Sequence, residues 1–262
     1  MILRGNFHSE TLRMSTNIQV LLPDKGDAPF RIVYLLHGQH GDQGTWLDYT
    51  SLPYFAKKYN AIFVMPEVAR SFYSDLIYGR KYFTYVSEEL PEVCKKFFNF
   101  SSGREDTAVM GCSMGGYGAL KLALTKPEKY GFCGPIAPAC LHFRPMLESL
   151  SRDPEPYLKS GKEAQESYID MKMLFGENLE YRDEYEILDL IKKFPDNKPK
   201  PVIYATCGTE DNLRHESLAL CDTIKGRSFD FTYEEWTGNH EWDFFSDALK
   251  KAIEFWYRGY KA

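Results

Sequence analysis

Gly111-Cys112-Ser113-Met114-Gly115 sets a serine hydroxyl between two glycines, and the flanking segments decide what that hydroxyl can do. Thr107-Ala108-Val109-Met110 is a short apolar run of buried-strand type, and Tyr117 to Leu124 has the periodicity of a helix that starts near Gly115. A strand passing straight into a helix through G-x-S-x-G is the context of a nucleophile elbow: glycines permit a turn that Cβ atoms would obstruct, leaving the serine strained at the carboxyl edge of a sheet. A window centred on Cys112 would need glycines at 110 and 114, which are both methionine, so Ser113 is the candidate nucleophile.

A serine hydroxyl is a weak nucleophile on its own and needs a histidine base oriented by a carboxylate. The apolar run Pro201 to Ala205 ends in Thr206-Cys207-Gly208-Thr209-Glu210-Asp211-Asn212, which brings acids to the edge where the elbow lies. A later strand, Phe229 to Trp236, leads through Thr237-Gly238-Asn239 to His240 and an amphipathic C-terminal helix. Ser113, Asp211 and His240 follow one of the chain orders in which such a triad occurs, with Glu210 as the rival acid. Among the other histidines, His37 and His40 read as shaping a loop, because a pair without a third ligand makes a weak metal site, and His8, His142 and His215 belong to no motif. His240-Glu241-Trp242-Asp243 is not a zinc-binding H-E-x-x-H, since position 244 is phenylalanine. Charge developing on a carbonyl oxygen also needs donors aimed at it. The backbone N–H of Met114 is one candidate, and that of Gln39, in the loop His37-Gly38-Gln39-His40-Gly41-Asp42, is the other.

The elements that must hold these residues alternate. Continuous apolar runs at Ile32 to Leu36, Ala61 to Met65, Thr107 to Met110, Phe132 to Ala139 and Pro201 to Ala205 read as strands buried on both faces. Helical periodicity fills segments between them, as at Val86 to Phe98, which predicts an α/β fold with a mostly parallel sheet and helices on both sides. Residues 7–22 read as an antiparallel edge hairpin turning near Arg13-Met14-Ser15. The polar stretch 141–200 breaks the rhythm with helical pieces at Ala164 to Phe175 and Glu184 to Phe194. It reads as a small helical insertion over the carboxyl edge within one domain spanning 1–262, and acyl preference is expected to depend on the pocket it shapes. The aromatic cluster from Phe72 to Tyr85 reads as core and pocket wall.

With 262 residues, 44% of them hydrophobic, the chain has material for a sizeable core. A net charge of -5 without a basic cluster favours neither nucleic acid nor an anionic membrane as partner. The N-terminus has no apolar stretch of signal-peptide length, and six scattered cysteines without a C-x-x-C pair fit a reducing compartment, so the expected location is cytoplasmic. A homo-oligomer is compatible with this composition.

Five pieces together resemble an esterase family of α/β-hydrolases that includes tributyrin esterases, S-formylglutathione hydrolases, feruloyl esterases and mycolyltransferases. They are Leu35-Leu36-His37-Gly38 with Asp42 and Trp46, the run from Ser71 to Asp75 continuing to Tyr85 through Pro91, Ser113 to Gly118, Gly208 to Asp211, and Gly238 to Trp242. The resemblance spans most of the chain and is nearest the tributyrin-esterase branch. It implies Ser113 as nucleophile, Asp211 as acid, His240 as base and the N–H groups of Gln39 and Met114 as oxyanion donors, with no metal or organic cofactor. Cys112 departs from the larger aliphatic residue usual there. The expected activity is hydrolysis of short-chain carboxylic esters through an acyl-enzyme. S-formylglutathione hydrolysis and feruloyl or acetyl ester hydrolysis are the alternatives, and a non-catalytic binding protein on the same scaffold is the alternative of another class.

Overall fold

Residues 1–259 are described by this computed structural model; residues 260–262, counted in the 1–262 span read from sequence, lie outside the described residues. The strands are β1 (Ile2–Ser9), β2 (Met14–Leu21), β3 (Arg31–Leu36), β4 (Ala61–Pro66), β5 (Thr107–Cys112), β6 (Phe132–Ile136), β7 (Val202–Gly208) and β8 (Phe231–Trp236). They form one sheet in the order β1-β2-β4-β3-β5-β6-β7-β8, parallel from β4 onward with β1 and β2 antiparallel at one edge.

The period-2 alternation of the central strands divides the interior into two cores. Ile32, Tyr34, Leu36 and Val109 point to one face, where the elbow helix Met114–Thr125 packs through Tyr117 and Leu120. Val33, Leu35, Ala108 and Met110 point to the other, against the C-terminal helix Trp242–Gly259. That helix buries Phe244, Phe245, Ala248, Leu249, Ala252, Ile253 and Trp256, an apolar stripe at helical spacing, and each large side chain contributes about 1.5–3 kcal/mol by leaving water.

Three boundaries differ from the sequence reading. The hairpin begins at Ile2, and Met14 and Ser15 already belong to β2; the turn lies before them, with Arg13 at φ 53°. Glu89 fixes that turn by accepting from Ser9 Oγ, Glu10 N–H and Thr11 N–H, a contact between segments far apart in sequence. Strand β6 stops at Ile136 instead of continuing to Ala139, because Ala137 takes φ 41° and turns the chain ahead of Pro138. The segment 86–98 is regular only over Leu90–Phe97, preceded by a wide turn at Tyr85–Glu89. Between β6 and β7 run the helices Arg144–Arg152, Glu155–Leu158, Lys162–Phe175 and Ile187–Lys192. The first two of these and Arg214–Ile224 after β7 were not anticipated.

Candidate active site

Ser113 occupies the corner between β5 and the elbow helix at φ 56°, ψ −120°. Such a conformation costs about 1–3 kcal/mol for a residue with a side chain and persists only when its surroundings over-determine it. Here Ser113 N–H donates to Ile136 O at 2.9 Å, and Ser113 O accepts from the N–H groups of Gly116, Tyr117 and Ala139 at 2.9, 3.1 and 3.1 Å. The flanking glycines bring the helix start onto the end of β3. A Cβ at Gly115 would stand 2.3 Å from Leu36 O, and one at Gly111 2.6 Å from Gly115 O.

Asp211 and His240 meet across the ends of β7 and β8. His240 Nδ1 lies 2.7 Å from Asp211 Oδ2, and the Asp211 side chain is fully buried while His240 retains 28% exposure. Leu213 N–H donates to Asp211 Oδ1 at 2.7 Å, so the carboxylate has a partner on each oxygen. Glu210 is exposed. The loops carrying Asp211 and His240 touch backbone to backbone: Thr209 N–H donates to Trp236 O at 2.9 Å and Glu210 N–H to Gly238 O at 3.1 Å. A Cβ on Gly208 would sit 2.1 Å from Gly238 O, so glycine alone permits this approach. With a carboxylate at Nδ1, the imidazole carries its proton there and keeps a lone pair on Nε2, which is what a base needs.

The loop after β3 is fixed at its stem. Trp46 Nε1–H donates to Leu36 O at 2.9 Å and Tyr73 O–H to His37 O at 3.0 Å. His37 Nδ1 contacts Gly38 O at 2.8 Å and Nε2 accepts from Val68 N–H at 3.3 Å; burial pushes this imidazole's pKa down, in keeping with a neutral structural ring. His8, His142 and His215 are exposed.

Ser113, His240 and Gln39 line one cleft of about 520 Å³, with Asp42, Asp48, Tyr49, Trp242 and Phe245 among its other walls. Asp211 stands behind His240, and Met114 follows Ser113 directly as the first residue of the buried elbow helix. Two expectations change here. No residue of 141–200 is among those lining the cleft; the segment reaches the wall through Asp170, whose Oδ2 accepts from Gln39 Nε2 at 2.9 Å. Phe72, Tyr73 and Tyr85 are core side chains, and the aromatic wall comes instead from Tyr49 stacked on Trp242 at 5.5 Å, with Phe245 edge-on to His240 at 5.0 Å. The sequence offered a signal in Trp242, two residues past His240; Tyr49 carried none.

A second cavity, also about 520 Å³, lies beside the last turns of the elbow helix, lined by Lys121, Asp75, Phe83, Arg182, Tyr185 and neighbours. Lys121 is 3% exposed; its Nζ donates to Ser74 Oγ at 2.5 Å and sits 3.9 Å from the Tyr185 ring centroid. Burial lowers its pKa to about 7.

Comparison with known proteins follows the same lines. A family model described as "Putative esterase" matches residues 9–255. An acetyl esterase of Caldicellulosiruptor saccharolyticus is 32% identical over 267 residues, covering 97% of each chain. A fluorophosphonate-binding serine hydrolase of Staphylococcus aureus superposes with TM-score 0.83 at 26% identity, covering 98% of both chains. An S-formylglutathione hydrolase from Staphylococcus aureus gives TM-score 0.80 at 27% identity over the same share of each.

Proposed function

This chain belongs to the "Putative esterase" family and is a serine ester hydrolase, and from that premise we propose that Ser113, His240 and Asp211 carry the reaction on short acyl esters of uncharged alcohols. The observation that carries this reading is the 2.7 Å contact of buried Asp211 with a histidine that opens onto the same cleft as the strained Ser113. His240 Nε2 takes the Ser113 proton as Oγ attacks the ester carbonyl, and the N–H groups of Gln39 and Met114 stabilise the oxyanion. Collapse of the tetrahedral intermediate expels the alcohol, which leaves with the proton returned by His240. Water then repeats the sequence on the acyl-serine, releasing the acid. Asp211 holds the ring in its productive tautomer and stabilises the imidazolium formed during each attack.

The cleft favours an oxygen ester over S-formylglutathione. Asp42 and Asp48 line it, and neither lysine nor arginine is among its lining residues, whereas a glutathione thioester is net anionic. The six free cysteines support placing the reaction in the cytoplasm, and no described helix is long and apolar enough to cross a membrane. Comparing kcat/KM for acetyl, butyryl, feruloyl and S-formylglutathione substrates tests the substrate class: the acetyl or butyryl ester should lead. Higher turnover of S-formylglutathione would overturn it. Labelling by a fluorophosphonate probe, abolished in Ser113→Ala, tests the nucleophile.

A further inference from the structure

The helix Lys162–Phe175 presents an acidic stripe toward the loop that follows β3. Glu163, Glu166 and Asp170 recur at i, i+3 and i+7 and so share one face. Glu163 lies 3.9 Å from His40 Nε2 and Glu166 3.9 Å from Arg70 Nη1, both loose contacts. Asp170 is different. Its side chain is only 13% exposed, and Oδ2 accepts from three donors: Gln39 Nε2 at 2.9 Å, Arg70 Nε at 2.9 Å and Arg70 Nη2 at 2.7 Å. Charge-assisted bonds of this kind are the strong ones, and the arginine fork gives them direction as well as energy.

Within the loop, His37 and Gly38 are held through their own backbone carbonyls, whereas Gln39 is tied through its side chain to a helix 131 residues away. We propose that Asp170 is a positioning residue: by fixing the Gln39 carboxamide it fixes the adjoining peptide, and so aims the Gln39 N–H at the oxyanion. The inference rests on the reading of that N–H as an oxyanion donor. Preorganisation gives it consequence, since a donor displaced by about 1 Å loses on the order of 10²-fold in rate. It also gives the connector between β6 and β7 an influence on catalysis although none of residues 141–200 lines the cleft. That influence is on rate, not on which acyl group fits.

The test measures kcat and KM on 4-nitrophenyl acetate, together with inhibition by a trifluoromethyl ketone. Ser113 Oγ attacks the ketone carbon as its proton passes to His240, and the C=O π pair moves onto the carbonyl oxygen, leaving an oxyanion. Asp170→Ala should lower kcat by about 10- to 100-fold with KM within about twofold, and weaken the ketone by the same factor. Asp170→Asn, which keeps an oxygen for Gln39, should recover most of that loss. Gln39→Met removes the carboxamide and keeps the backbone N–H, so it should reproduce the loss, and the double variant should be no worse than either single one. Should Asp170→Ala not fold, Gln39→Met decides alone. Losses that add, kcat for Gln39→Met within about twofold of wild type, or a rise in KM alone would overturn the proposal. Fluorophosphonate labelling of the wild type separates the two levels: a labelled enzyme with a neutral Gln39→Met refutes only the positioning role, whereas an unlabelled wild type refutes the serine-nucleophile reading beneath it.

Discussion

Two cavities of the same volume, about 520 Å³ each, flank the elbow helix, one at its first residue and one beside its last turns. Each is served by a buried ionisable group. In the first, Asp211 is wholly buried but answered by His240 at 2.7 Å and by a backbone N–H. In the second, Lys121 is buried against a hydroxyl and the face of a tyrosine, with no carboxylate oxygen among its hydrogen-bond partners here. A charge hydrogen-bonded to its counter-charge can remain ionised where a reaction needs it; a cation whose carboxylates, here Asp75 and Glu184, only stand nearby is pulled toward neutrality by burial. Volume therefore does not distinguish the two sites, whereas the partner of the buried charge does.

The sharpest way to break this contrast is at the nucleophile. Ser113→Ala should fold normally and lose on the order of 10⁴- to 10⁶-fold in ester turnover, because nucleophile and base act as a unit. Retention of more than about a tenth of wild-type activity would remove Ser113 from that role. Next comes the compensated charge. Asp211→Asn should lower kcat/KM by about 10³- to 10⁴-fold and Glu210→Gln by less than about tenfold, since only Asp211 touches His240. The reverse ranking would shift the acid by one residue.

The incompletely compensated charge of Lys121 gives a smaller effect, in stability instead of rate. Burial holds Lys121 at about 7 in the folded protein, against a usual value near 10.5. Between those two values the unfolded chain binds a proton that the folded chain lacks, so folding stability rises with pH across that window, and below it the whole penalty is present. Lys121→Met should therefore raise stability at pH 6 by about a few kcal/mol, on the order expected for a buried cation whose desolvation outweighs the attraction of Asp75 and Glu184, and the gain should shrink toward pH 10. Urea melts at both pH values check it; an equal or larger gain at pH 10 would contradict the assignment. The smallest effect concerns Cys112. Burial pushes its thiol up to about 12, which keeps it protonated and unreactive although it borders the cleft. Iodoacetamide at pH 8 should leave activity within about twofold of the untreated enzyme; rapid inactivation would show an accessible thiolate.

How much of this was legible in the sequence depends on how local each determinant is. The elbow, the strand ends that carry Asp211 and His240, and the alternation of strand and helix are written in short contiguous patterns. The choice between Asp211 and Glu210 came only through the family resemblance, because adjacent acids have the same local chemistry and differ only in the direction the turn gives them. The turn of the first hairpin was misplaced because Glu89 fixes it from another element. Asp170 was invisible for the same reason: its meaning lies in Gln39 and Arg70, and no periodicity connects them.

The contact between Gly208 and Gly238 bears on how such a chain diversifies. Asp211 and His240 are registered by two loops pressed main chain to main chain, where a single carbon added to Gly208 would force them apart. The connector between β6 and β7 stands outside the cleft wall; its Phe143, Leu147, Phe175 and Ile187 are core side chains, but its exposed positions carry no such constraint. Mutational tolerance should therefore be divided in space. Substitutions at the connector's exposed positions are selectable as long as its buried side chains and its grip at Asp170 survive, while the two glycines are effectively frozen. A lineage built on this plan can remodel its outer helices for new surroundings and inherit the same reaction unchanged.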